Sequence, residues 1–90
     1  MEPIRELIAV DLEMTGLQVK TDRILEIGAV RLVDGQLRDT FQTFVNPHRR
    51  IDTRITELTG IRPEMVEDAP EAEEALRKFL EFAGEAPFLG

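Results

Sequence analysis

The 90-residue chain has no cysteine, tryptophan or tyrosine, and it has a single histidine. Without cysteine it can form neither a disulfide nor a thiolate metal site, and nothing points to an oxidising compartment. With one imidazole available, any bound metal has to be held mainly by oxygen. Long apolar runs are also missing. No stretch approaches a membrane-spanning length, and the N-terminus lacks a basic segment followed by an apolar one. A soluble, cytoplasmic protein with no membrane partner is the expectation. Basic residues are outnumbered, 11 against 18, giving a net charge of −7. That balance speaks against broad, charge-driven binding of nucleic acid, although a metal at a carboxylate cluster reverses the local field. A chain this short makes one small domain at most, with a marginal core, so an incomplete unit is expected.

Two halves of different periodicity are present. Up to Asn46 the pattern is strand-like, with runs at Leu7–Leu12, Ile24–Val33 and Leu37–Val45. Asp34-Gly35 joins the second and third runs, as a tight hairpin with two positive φ angles requires, so these strands should be antiparallel neighbours. The second run is apolar on both faces apart from Glu26 and Arg31, with Gly28 in its middle. It belongs inside a sheet. Pro47 should end the third strand. From Ile51 onward the signals are helical. Ile55–Gly60 reads as a short helix closed by glycine, and Pro63–Val66 as a further turn with proline at its start. A longer helix begins near Pro70, where Ala72, Ala75, Leu76, Phe79, Leu80 and Ala83 share one face. Glu73–Arg77 and Glu74–Lys78 pairs are expected on it, and Gly84 is its stop. Phe88-Leu89-Gly90 opens another apolar stretch. No internal repeat or linker separates the halves, which form a single unit over residues 1–90.

The chemistry concentrates in DLEMTG, residues 11–16, at the end of the first apolar run. If Leu7–Glu13 is extended, Asp11 and Glu13 point to the same face with Cα atoms about 7 Å apart. Two such carboxylates can converge on one hard ion, Mg²⁺ or Mn²⁺, which keeps several waters and usually shares a phosphate with its substrate. Gly16, in the turn that follows, lets backbone N–H groups approach a ligand closely. An arbitrary D-x-E triplet more often means a turn cap and a solvated glutamate, so the rest of the chain has to decide.

The ordered series IAVDLEMTGL, RILEIGAVRL, FQTFVNPHRRI, ITELTGI and MVEDAP strongly resembles the N-terminal half of the DEDD-type 3′–5′ exonucleases. Within them it is most similar to polymerase proofreading domains and to exonuclease modules fused to some helicases. The resemblance runs from about Ile8 to Gly90, with DLEMTG matching the first exonuclease motif, D-x-E-x-T-G. It implies an α/β, RNase H-like fold, here its N-terminal half, as a three-stranded antiparallel sheet followed by helices. It also implies hydrolysis of nucleotides from DNA or RNA 3′ ends with two divalent ions, Mg²⁺ or Mn²⁺. Asp11 would bridge both metals and Glu13 would bind one, while Met14, Thr15, Gly16 and Leu17 would line the pocket for the terminal nucleotide. The implied partners are single-stranded or 3′-terminal nucleic acid and a polymerase or helicase, separate or fused.

The family pattern also needs a second acidic motif after the strand that starts near Phe88, and a third supplying a histidine and a last aspartate. Neither is present. His48, in NPHRR, does not correspond to the catalytic histidine. The chain is thus expected to hold two of four carboxylates, as a partial exonuclease domain truncated before the second motif. An alternative is a catalytically inactive remnant that self-associates through an unpaired edge at Leu7–Leu12 or through its helix face. Haloacid-dehalogenase-type phosphatases share an acidic motif after the first strand, D-x-D-x-T. Here the third position is Glu13, and a hairpin follows rather than a crossover helix. Glu26 is read as either a support for the site or a solvated side chain. His48, Arg49 and Arg50, with Arg54 near, are read as phosphate contacts or as a solvated cluster. The phenylalanines Phe41, Phe44, Phe79, Phe82 and Phe88 are assigned to the core.

Overall fold

A computed structural model describes residues 5–18 and 20–90 of the chain. Strand β1 (Glu6–Met14) pairs antiparallel with β2 (Ile24–Val33), which pairs antiparallel with β3 (Gln36–Phe44). The β2–β3 turn is Asp34-Gly35, with φ of 52° and 79°. Positive values at both central residues are what keep this hairpin in line with the right-handed strand twist.

Two short helices follow, α1 (Thr53–Thr59) and α2 (Pro63–Val66), then the longer α3 (Ala72–Ala83). Asp52 caps α1 by accepting from the Arg54 N–H, and Gly60 closes it at φ 80° with its own N–H on the Thr56 carbonyl. On α3, Glu74 pairs with Lys78 as expected at 3.7 Å, but Arg77 pairs with Glu81 at 3.0 Å instead of Glu73. Both partners of Arg77 lie one turn away, so either pairing satisfies helical spacing.

The sheet has four strands, in the order β3-β2-β1-β4, rather than the expected three. Strand β4 (Phe88–Leu89) lies parallel to β1, with Ile8 beside Phe88 and Ala9 beside Leu89, and the Ile8 N–H donates to the Pro87 carbonyl at 2.9 Å. Parallel strands need a crossover, and α3 supplies it by returning the chain alongside β1. This corrects the expected open edge at Leu7–Leu12 in part: Ile8 and Ala9 are paired on both sides, whereas Val10–Leu12 pair in the ladder with β2 alone.

One face of the sheet packs on α3. Ile8, Ile27 and Ala29 are buried there against Ala75, Phe79 and Ala83, with Val10, Phe41 and Phe82 packed around them. Phe41 meets Phe79 edge-on at 6.0 Å and Phe82 at 5.4 Å, and Phe79 also meets Phe88 at 5.3 Å. The buried stripe of α3 is narrower than its apolar stripe, since Leu76 and Leu80 stay exposed. Arg31 lies on this same face. It donates to the Phe82 carbonyl in the last turn of α3, stacks 5.0 Å over the Phe82 ring and pairs with Glu6 at 3.2 Å.

A second core gathers Leu25, Ile51, Ile55, Ile61 and Val66 at one end of the sheet. The β1–β2 register shifts there: Glu13 faces Glu26, but Met14 faces Ile24. The extra residue is Leu25, and such a bulge turns its strand out of the flat ladder. Its fully buried side chain thereby reaches α1 and α2, which fixes where α1 stands relative to the end of β1.

Candidate functional site

Because alternate residues of a strand point to opposite faces, the burial of Ile8 against α3 places Leu7, Ala9, Asp11 and Glu13 on the other face. Asp11 is exposed and Glu13 half-buried. Their cross-strand neighbours differ in a useful way. Asp11 faces Gly28, which has no side chain, and Glu13 faces Glu26. The surface around Asp11 and Gly28 is a shallow open depression, bounded also by Ala9, Val30 and Thr40. The Glu26 carboxylate accepts from the Gln42 side-chain amide at 2.8 Å, so it is held toward β3 and is not simply solvated.

At the end of β1 the chain turns sharply through Thr15–Leu17, and this turn is tied down at several points. The Thr15 N–H donates to the Arg23 carbonyl at 2.8 Å, and the Arg23 N–H returns a bond to the Thr15 hydroxyl at 2.9 Å. That hydroxyl donates to one Asp22 oxygen at 2.8 Å, while the Gln18 N–H donates to the other at 2.8 Å. Arg49 stands 3.6 Å from the Asp22 carboxylate. The bond from Gln18, then that from Thr15, holds the Asp22 carboxyl below the usual carboxylate range, with Arg49 adding a weaker pull and burial opposing.

The turn forms one wall of a cleft of about 760 Å³. Leu12, Glu13, Met14, Thr15, Gly16 and Leu17 line it on one side, and Arg54, Ile55, Leu58 and Thr59 of α1 on the other. Buried Ile55 anchors α1 in the second core, so its neighbours on the helix are presented to the cleft. Two large apolar side chains, Leu17 at 97% and Leu58 at 79% exposure, stand open to solvent at its rim.

The structure therefore brings Met14, Thr15, Gly16 and Leu17 into one cleft with Glu13, and sets Asp11 on the adjoining open face. The basic cluster divides. Arg54 reaches the cleft and Arg49 reaches Asp22, whereas His48 bonds Glu71 at 3.1 Å at the start of α3 and lines a different hollow. Sequence reasoning missed Asp22 and Leu58. The T-D-R triplet before β2 offers no period or motif, and Leu58 follows helical spacing but faces outward.

The donor set at Asp11 and Glu13 is hard oxygen on one strand face, which suits part of a Mg²⁺ or Mn²⁺ site. Among the described residues no three His, Asp or Glu side chains gather closely enough to hold a metal by themselves. Among them, too, no helix is long and apolar enough to cross a membrane.

Residues 8–88 match a protein family described as exonuclease. The chain is 54% identical over 78 residues to the DNA polymerase III PolC-type protein of Caldanaerobacter subterraneus subsp. tengcongensis, covering 87% of this chain and 6% of that protein. It is 49% identical over 79 residues to the corresponding protein of Clostridium perfringens, covering 88% and 6%. The chain thus spans a small fraction of the curated relatives it matches. Among solved structures, a full-length 3′-exonuclease superposes with a TM-score of 0.81 at 24% identity, over 90% of this chain and 29% of that one. Exonuclease X in complex with 5′-overhanging duplex DNA superposes with a TM-score of 0.72 at 30% identity, over 81% and 42%. The four-stranded sheet and following helices are those of RNase H-like exonucleases.

Proposed function

The chain belongs to the exonuclease family, and we propose that it forms the motif I part of a 3′–5′ exonuclease site, with Asp11 and Glu13 as ligands for divalent metal and the adjoining cleft as the seat of the terminal nucleotide. The observation that carries this reading is the junction at the end of β1. Two same-face carboxylates run directly into a turn whose residues Met14 to Leu17 line a cleft of nucleotide size. Gly28 leaves the approach to Asp11 clear, and Glu26, opposite Glu13, is held by Gln42.

Asp11 and Glu13 would hold divalent Mg²⁺ or Mn²⁺, which when bound would supply an activated water and charge stabilisation for the leaving 3′ oxygen. The chain's own residues orient the substrate. Leu17 and Leu58 offer apolar surfaces to a base, and Arg54 offers its guanidinium to a phosphate. Thr15 acts by holding the turn, because its hydroxyl hydrogen is already committed to Asp22. Since the curated relatives are DNA polymerase III proteins, the proposed substrate is a DNA 3′ end, the proposed partner a polymerase and the proposed location the cytoplasm. Exposed Leu76, Leu80, Phe88 and Leu89 favour a second reading, self-association through the α3 flank and the outer edge of β4.

Titration of the ¹⁵N-labelled chain with Mn²⁺ tests the metal assignment. Paramagnetic broadening is expected to centre on Asp11, Leu12 and Glu13 and on cross-strand Ile27 and Gly28, and to vanish in Asp11→Ala. Broadening centred on Glu71, Glu73 and Glu74 would overturn it.

A further inference from the structure

We infer that Asp22 is a positioning residue for the nucleotide cleft, holding the Met14–Gln18 turn in its binding shape through paired contacts to Thr15 and Gln18. This rests on the reading of the cleft as a nucleotide site and adds a residue outside the D-x-E-x-T-G motif.

Three observations converge on it. The two carboxylate oxygens serve different points of the turn: one accepts from the Thr15 hydroxyl and the other from the Gln18 N–H, each at 2.8 Å. The carboxylate thus spans the turn and fixes its width. Arg49 braces it from outside at 3.6 Å, with the Asp22 side chain 17% exposed. Gly16 is shaped around it. A Cβ on Gly16 would fall 2.5 Å from an Asp22 oxygen and 2.9 Å from its carboxyl carbon. The glycine of the motif is required here by the aspartate six residues later, since its own φ is not in the left-handed region. Thr15, Gly16, Gln18 and Asp22 all line the cleft, so a change in the turn is a change in the cleft wall.

Asparagine at position 22 keeps the shape but not the charge: its one accepting oxygen can serve the Gln18 N–H, and Thr15 is then reached only by a reversed, uncharged bond from the amide to the hydroxyl. Alanine satisfies neither. The test uses the ¹⁵N-labelled chain with thymidine 5′-monophosphate and Mg²⁺, reading affinity from amide shifts. Asp22→Ala should weaken binding roughly tenfold, the scale of losing a group that orients a site residue, with Asp22→Asn between it and wild type. The Gln18 amide should lose protection from exchange, while the Ile8 and Phe79 amide shifts stay put. Gly16→Ala should weaken binding in the wild-type background but add little to Asp22→Ala, because the colliding carboxylate is gone. A wild type that binds and an Asp22→Ala that binds as tightly overturn the positioning role alone. Loss of core shift dispersion in both Asp22 variants assigns the residue to the fold as a whole and also overturns it. A wild type that ignores the nucleotide overturns the cleft reading, and this inference with it.

Discussion

The Asp22 carboxylate has a consequence for acid stability. Its bonds from Gln18 and Thr15 favour the ionised form and lower its pKa in the folded chain. A depressed carboxylate contributes stability that is fully present above its unfolded value, near 3.9, and lost as pH falls through the lower folded value. The stability advantage of the wild type over Asp22→Asn should therefore shrink below about pH 4, as checked by denaturant melts at successive pH values. A gap that persists unchanged at lower pH would show that ionisation is not what matters there. Asp11 and Glu13 were legible as a same-face pair because period-two alternation is local information. Asp22 was not, since its role depends on the chain doubling back from residue 22 to residue 15.

Among the elements, α3 is held to the sheet through buried Ala75, Phe79 and Ala83 and through Arg31, which ties down its last turn. Phe79 is 6% exposed and touches both Phe41 and Phe88. Phe79→Ala should cost about 3–5 kcal/mol in a urea melt, and a loss below about 1 kcal/mol would mean that α3 repacks. Arg31→Met keeps much of the volume but removes the bond to the Phe82 carbonyl and the pair with Glu6. It should cost about 1.5–3 kcal/mol, the worth of a hydrogen bond from a charged group. Asp52→Ala removes the α1 cap and should cost about 1 kcal/mol. Because α1 supplies the far wall of the cleft, that loss should appear first as faster amide exchange at Thr56 and Gly60. The hairpin was readable from two residues, and α3 from its spacing. Arg31 looked like an interruption of an apolar strand until α3 supplied the carbonyl it meets. The brief strand at Phe88–Leu89 appeared only as an apolar stretch, since a two-residue run has no period to detect.

For the molecule as a whole, the proposed metal ligands are Asp11 and Glu13 alone, and among the described residues no cluster of three or more donors forms. The purified 90-residue chain should therefore release no measurable nucleotide from a labelled single-stranded 3′ end in Mg²⁺ or Mn²⁺. Release that is lost with Glu13→Ala would mean that a second chain completes the site. Sedimentation should show association at high concentration, weakened by Leu80→Glu or by lysine at Leu89, and a concentration-independent monomer would exclude that route. Family and fold were legible because five ordered motifs cover most of the chain. The cleft was less so, because its far wall comes from α1 and its placement from the bulge at Leu25. The parallel pairing of β4 with β1 also sets an order in time. β2 and β3 are joined by a two-residue turn, and their ladder needs almost no loop to close. β1 gains its second neighbour only when the opposite end of the chain arrives, which is the costlier and slower closure. Pulsed hydrogen exchange during refolding should protect the β2–β3 amides first and the Ile8 amide, which bonds Pro87, last, so that the carboxylate-bearing strand is the last part of the sheet to become rigid.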